Sequence, residues 1–99
     1  GFNAGTQDAF EALEQRASFY RLQEDEGLAA LCEAVLCNRI GAALDGVEAY
    51  DPDGASRWSA KRDRLLKSLL ASPHIGVKKK FSLFLQRAMP EMFARIKGR

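Results

Sequence analysis

The sequence predicts an all-α fold: a single small domain of four main helices, bundle-like, with the last helix kinked or broken at Pro90. Three observations lead to it. Apolar residues recur with helical spacing in four separate stretches, and turn-forming residues stand between them. No segment alternates with period two for long enough to make a strand. The chain has 99 residues, 46% hydrophobic and 28% charged, which suits one core and argues against disorder. It opens on Gly1, not Met, so residues 1–5 read as a cleavage scar or linker ahead of a helical domain over 6–99. No run approaches 18 consecutive apolar residues and no signal peptide is visible, so no membrane-spanning segment is expected.

In the first stretch Thr6 can cap a helix, and Phe10, Leu13, Ala17 and Tyr20 share one face of a helix over about 7–23. Phe19 lies nearly opposite that face. The second stretch carries Leu28, Leu31, Cys32, Val35, Leu36, Ile40, Ala43 and Leu44 in a wide apolar stripe, which predicts a heavily buried helix over about 27–45. Glu24, Asp25 and Glu26 precede it, where acids favour a helix N-terminus. Asp51-Pro52-Asp53-Gly54 fits a type I turn, with Ser56 as the following cap. Trp58, Arg62, Leu65, Leu66, Leu69 and Leu70 then continue at helical spacing to about Ala71, with Trp58 as a core anchor. Ser72–Gly76 breaks the chain. After it Val77, Phe81, Phe84, Leu85, Ala88, Met92 and Ile96 form the apolar stripe of the fourth helix, with Leu83, Met89 and Phe93 off it.

Cys32 and Cys37 are five residues apart, which turns them about 140° from each other on a helix and forbids a disulfide within it. They read as small buried hydrophobes in a reducing compartment. With His74 they fall short of a zinc ligand set, and nothing in the sequence brings a thiol and the imidazole together as a nucleophile pair. Asp51-x-Asp53 matches a metal-binding D-x-D formally, but its setting between helices reads as a turn. No phosphate loop, nucleophile elbow or zinc-protease motif is present. The expectation is therefore no catalytic residue, no cofactor and no metal, with a small enzyme using Cys32, Cys37 or His74 as a rival reading.

Charge is polarised along the chain. Residues 1–53 hold eleven acids and three bases, a net of −8, while residues 54–99 hold two acids and twelve bases, a net of +10. One reading is internal complementarity between an acidic and a basic helix pair. The other starts from Lys78, Lys79 and Lys80 at the start of the fourth helix, where cations oppose the helix dipole. Arg87, Arg95, Lys97 and Arg99 extend the positive charge beside the apolar side chains. Such a basic amphipathic segment can dock on an anionic membrane surface or an acidic protein partner. Nucleic acid ranks below both, because half of the molecule would repel phosphate. A homo-oligomer with Phe19, Met89 and Phe93 as exposed contacts is a further reading.

The stretch Ala71-Ser72-Pro73-His74-Ile75-Gly76-Val77-Lys78-Lys79-Lys80-Phe81, then Phe84-Leu85 and Met89-Pro90-Glu91-Met92-Phe93, resembles the C-terminal helical tail of bacterial family-2 glycosyltransferases. The resemblance covers about the last forty residues. It implies a non-catalytic accessory domain whose nucleotide-sugar domain would precede Gly1, working in the cytoplasm at the inner face of the membrane. No catalytic or metal residue of that family falls on this chain.

Overall fold

A computed structural model describes residues 4–44 and 52–89, together with Met92 and Arg95. Four helices follow one another: α1 (Ala4–Leu22), α2 (Glu26–Leu44), α3 (Pro52–Leu70) and α4 (Val77–Ala88). No strand occurs among the described residues. The chain is therefore the expected all-α, four-helix domain.

The link from α1 to α2 is three residues long. Asp25 N–H donates to the Tyr20 carbonyl at 2.9 Å, closing the end of α1, and Glu24 there takes φ 61°. That left-handed conformation ordinarily favours glycine. Asp25 then opens α2, its carboxylate accepting the Leu28 N–H at 3.0 Å. α1 and α2 run antiparallel: Arg21 near the end of α1 reaches Glu26 and Glu33 near the start of α2, while Phe10 shares a core cluster with Leu36 and Ile40.

α3 begins at Pro52, so Pro52-Asp53-Gly54 is the first helical turn and not a free-standing β-turn. Proline's fixed φ and missing N–H suit the first helical position, and Asp53 favours the dipole there. Thr6 likewise lies inside α1, which starts earlier than expected. The turn's Asp51 and the stop at Gly46 lie outside the described residues.

α2 is the hub, apolar around most of its circumference, and it meets its neighbours through small residues together with Leu36 and Ile40. Leu36 and Ile40 pack with Phe10 of α1 and Trp58 of α3, whose rings meet edge-on with centroids 5.1 Å apart. Ala30, Ala34 and Cys37 form a second cluster with Leu66 and Leu69 of α3, Ile75 of the loop and Leu83 of α4. α1 and α3 reach each other through long side chains: Lys61 lies 4.2 Å from the Trp58 ring centroid and 3.2 Å from Glu14. By length and composition α2 could cross a bilayer, contrary to the expectation of no such segment, but two of its sides are taken by the other helices.

The stripe expected to be the buried side of α2 is only half so. Leu36 and Ile40 are buried, whereas Leu28, Leu31 and Val35 are 41%, 52% and 40% exposed. Ala29, Ala30, Ala34 and Gly41 are buried in their place. Small side chains let the helix axes approach closely, and the leucines are left on the outside. Gly41 shows how close: a Cβ there would stand 2.9 Å from Gln86 Nε2 of α4, which is buried and donates to the Asn38 carbonyl at 3.3 Å. Alanine is worth about 1 kcal/mol over glycine in a helix interior. Gly41→Ala is expected to gain much less than that in the native background, because Gln86 must move. In a Gln86→Ala background it should regain the full effect. Urea unfolding of the two single variants and the double variant measures the coupling.

Candidate functional site

α4 carries the chemistry that sets this surface apart. Its buried residues are Leu83, Leu85 and Gln86, and the helix is pinned to α3 by Arg87, whose guanidinium meets Asp63 at 2.8 Å. That hydrogen bond and charge hold the Asp63 carboxyl below the usual range. The side facing solvent is the apolar stripe that the spacing marks as the core side. Val77 is 84% exposed, Phe81 62% and Phe84 50%. Met89 and Met92 are exposed beyond them. Of the expected stripe, Leu85 is buried, and Ile96 lies outside the described residues. α4 ends at Ala88, and Met89 has left helical geometry at φ −138°, ψ 68°. A residue before proline is pushed from the helical region in this way. Pro90 itself lies outside the described residues.

At roughly 100° per residue, Val77, Phe81, Phe84 and Ala88 fall within one narrow arc of α4. Lys78 lies on one side of that arc and Lys80 on the other. Lys79 is on the opposite side of the helix, close enough to Cys37 for its charge to act on that thiol. Gly76 opens the helix without a side-chain cap, and no acid stands in the first turn. Lys78, Lys79 and Lys80 make no ion pair among the described residues. Three of the early carboxylates are engaged elsewhere: Glu26 and Glu33 with Arg21, and Glu14 with Lys61. Arg95 is exposed, Arg87 is taken up by Asp63, and Lys97 and Arg99 lie outside the described residues. Of the basic residues expected at a docking site, Lys78 and Lys80 thus flank the exposed aromatics.

Phe19 is exposed and stacks edge-on against Tyr20, while Phe93 lies outside the described residues. His74 is exposed in the loop before α4 and borders a cleft of about 270 Å³ with Arg21, Glu26, Glu33, Ser68 and Ser72. Both carboxylates there are spent on Arg21, whose pKa they raise. Ser72 Oγ accepts the His74 backbone N–H at 3.2 Å, an interaction that shapes the loop. No group of three metal-ligating side chains occurs among the described residues. Spacing alone missed Gln86 and Asp63, the polar residues that seat α4. Neither belongs to an apolar stripe, and each acts through contacts made only in the fold, Gln86 on the Asn38 carbonyl and Asp63 on Arg87.

Both cysteines are free, Cys32 half-buried and Cys37 buried. Burial pushes the Cys37 thiol up from an ordinary value of 9.0 to about 11, the reverse of an activated nucleophile. A folded-state pKa raised above the unfolded one gives stability that is complete below the unfolded value and disappears as pH rises through the folded value. Stability due to Cys37 is therefore expected to fall between about pH 9 and 11. Melting temperatures across that window should drop less steeply in Cys37→Ala than in the native chain. Maleimide should reach Cys37 only on unfolding.

No protein-family model matches the chain, and no curated protein or solved structure is significantly similar to it. What the domain does is read from its own surface.

Proposed function

We propose that this domain is a non-catalytic docking module that binds an anionic membrane surface through the outward side of α4. The observation that carries the reading is the exposure of Val77, Phe81 and Phe84 between Lys78 and Lys80. A basic amphipathic helix of this kind lies in the plane of the interface, its rings among the acyl chains and its ammonium groups beside lipid phosphates. Each lysine near such a surface contributes about 1 kcal/mol. Each fully buried apolar side chain contributes roughly 1.5–3 kcal/mol. Neither set alone holds a protein firmly. Together they give reversible, peripheral binding that weakens with salt.

Three cations at an uncapped helix start cost about 0.3–1 kcal/mol each at low ionic strength, and an anionic surface removes that penalty. An anionic cytoplasmic leaflet supplies such a surface, and a cytoplasmic site at the inner face of the membrane belongs to this reading. On the resemblance of residues 71–93 to glycosyltransferase tails, the module would be an accessory domain holding a catalytic domain near membrane-bound acceptors.

Co-sedimentation with phosphatidylcholine vesicles, with and without phosphatidylserine, tests the reading. Binding is expected only with phosphatidylserine. Lys78→Ala with Lys80→Ala should weaken it roughly 30-fold, since two contributions of about 1 kcal/mol are lost. Phe81→Ser with Phe84→Ser should abolish it without changing the melting temperature. Lys79→Ala should do far less than either neighbour. Binding that ignores lipid charge, or that survives loss of both aromatics, contradicts the proposal.

A further inference from the structure

We propose that the outward side of α3 is a second contact with the same anionic membrane. It binds lipid headgroups without entering the acyl layer, and so fixes how the domain lies on the surface. Arg57, Ala60, Arg64 and Lys67 follow one another at helical spacing, within an arc of about 80° on α3. All four are exposed, whereas Trp58, Arg62, Leu66 and Leu69 on the opposite arc are buried. The three cations extend over about 15 Å of helix. Arg64 and Lys67 make no ion pair among the described residues, and Arg57 donates to the neutral Gln7 amide oxygen at 3.4 Å. Of the acids on α3, Asp53 stands a turn before the line, and Asp63, on its α4 edge, is closed on Arg87.

The line adjoins the α4 face. Residues 71–76 join the two helices, which meet again where Arg87 closes on Asp63 at 2.8 Å. Lys80 lies two turns before Arg87 on the same side of α4, so it stands at the α3 edge of the Phe81 and Phe84 arc. Lys67 lies one turn beyond Asp63 on α3. Cations therefore run from Lys80, across the Asp63–Arg87 contact, to Lys67, Arg64 and Arg57. The make-up of the α3 line decides its occupant. It holds no large apolar side chain, so it has nothing to insert, and a protein interface built on it would lack an apolar centre. A plane of anionic headgroups needs none, because ammonium groups pair with phosphate as point charges and a guanidinium takes two of its oxygens at once. With the α4 rings at the acyl boundary, α3 rests on the phosphates beside them. This inference rests on the reading of α4 as the membrane face.

Vesicles of phosphatidylcholine and phosphatidylserine test it by co-sedimentation. Arg64→Ala with Lys67→Ala should weaken binding roughly 30-fold and leave the melting temperature unchanged. Arg16→Ala with Arg39→Ala removes the same charge from exposed positions on α1 and α2, and should weaken binding by no more than about threefold. Arg64→Lys with Lys67→Arg should bind nearly as the native chain does. A native chain that ignores these vesicles sinks the α4 reading and this inference together. If the native chain binds and Arg64→Ala with Lys67→Ala is no weaker than the Arg16→Ala, Arg39→Ala control, only the α3 contact is overturned. It is overturned as well if Arg64→Ala with Lys67→Ala removes binding to a duplex oligonucleotide while vesicle binding stays intact.

Discussion

The close packing of α2 against its three neighbours is the constraint on which the rest of the molecule depends. Alanines and a glycine on two sides of that helix let α1, α3 and α4 approach it, and the large side chains that fill the remaining space come mostly from the partners: Phe10, Trp58, Leu66, Leu69 and Leu83. A helix with alanines at these positions has few ways to hold its neighbours apart. Once it is seated, the leucines on its third side have nowhere to go but outward. The same geometry that builds the core therefore creates the exposed strip.

α4 is the least embedded of the helices, and its attachments are mixed in character. Leu83 and Leu85 bury apolar surface, Gln86 bonds to a backbone carbonyl of α2, and Arg87 closes on Asp63. These contacts fix the rotation of the helix about its own axis. That rotation turns Phe81 and Phe84 away from the bundle and leaves Lys78 and Lys80 to either side of them. An exposed ion pair such as Asp63–Arg87 is worth about 0–1 kcal/mol in water, so its effect lies in orientation more than in stability.

The four helices and most of their limits were legible in the sequence because helical periodicity and turn residues are local signals. Trp58 as an anchor, Phe10 and Ala17 as core, and the break at Ser72–Gly76 followed from the same reasoning. Which side of α2 and α4 faces inward was not legible. Periodicity locates the most apolar arc of a helix, but burial goes to the arc that the neighbouring helices can reach. In α2 the reach favoured Ala30 and Ala34 over Leu31 and Val35, because close approach rewards small side chains. In α4 it favoured Leu83 and Gln86 over Phe81 and Phe84, and a buried glutamine declares itself only through its partner, the Asn38 carbonyl. Pro52 was misread because a proline after an acid suits both a turn and a first helical position, and here it opens α3. The lysines of the candidate site were legible as charge, whereas the distinction of Lys79 from its neighbours needed the helix's rotation.

The division of α2 into covered and uncovered sides is tested by comparing Leu31→Gln with Ala34→Leu in urea unfolding. Leu31→Gln should change stability by no more than about 0.5 kcal/mol, as an exposed substitution does. Ala34→Leu should cost about 1–3 kcal/mol through overpacking between α2 and its neighbours. If Leu31→Gln instead cost what a buried leucine does, about 2–5 kcal/mol, while Ala34→Leu was tolerated, α2 would be rotated from the orientation described and both exposed surfaces would lose their basis.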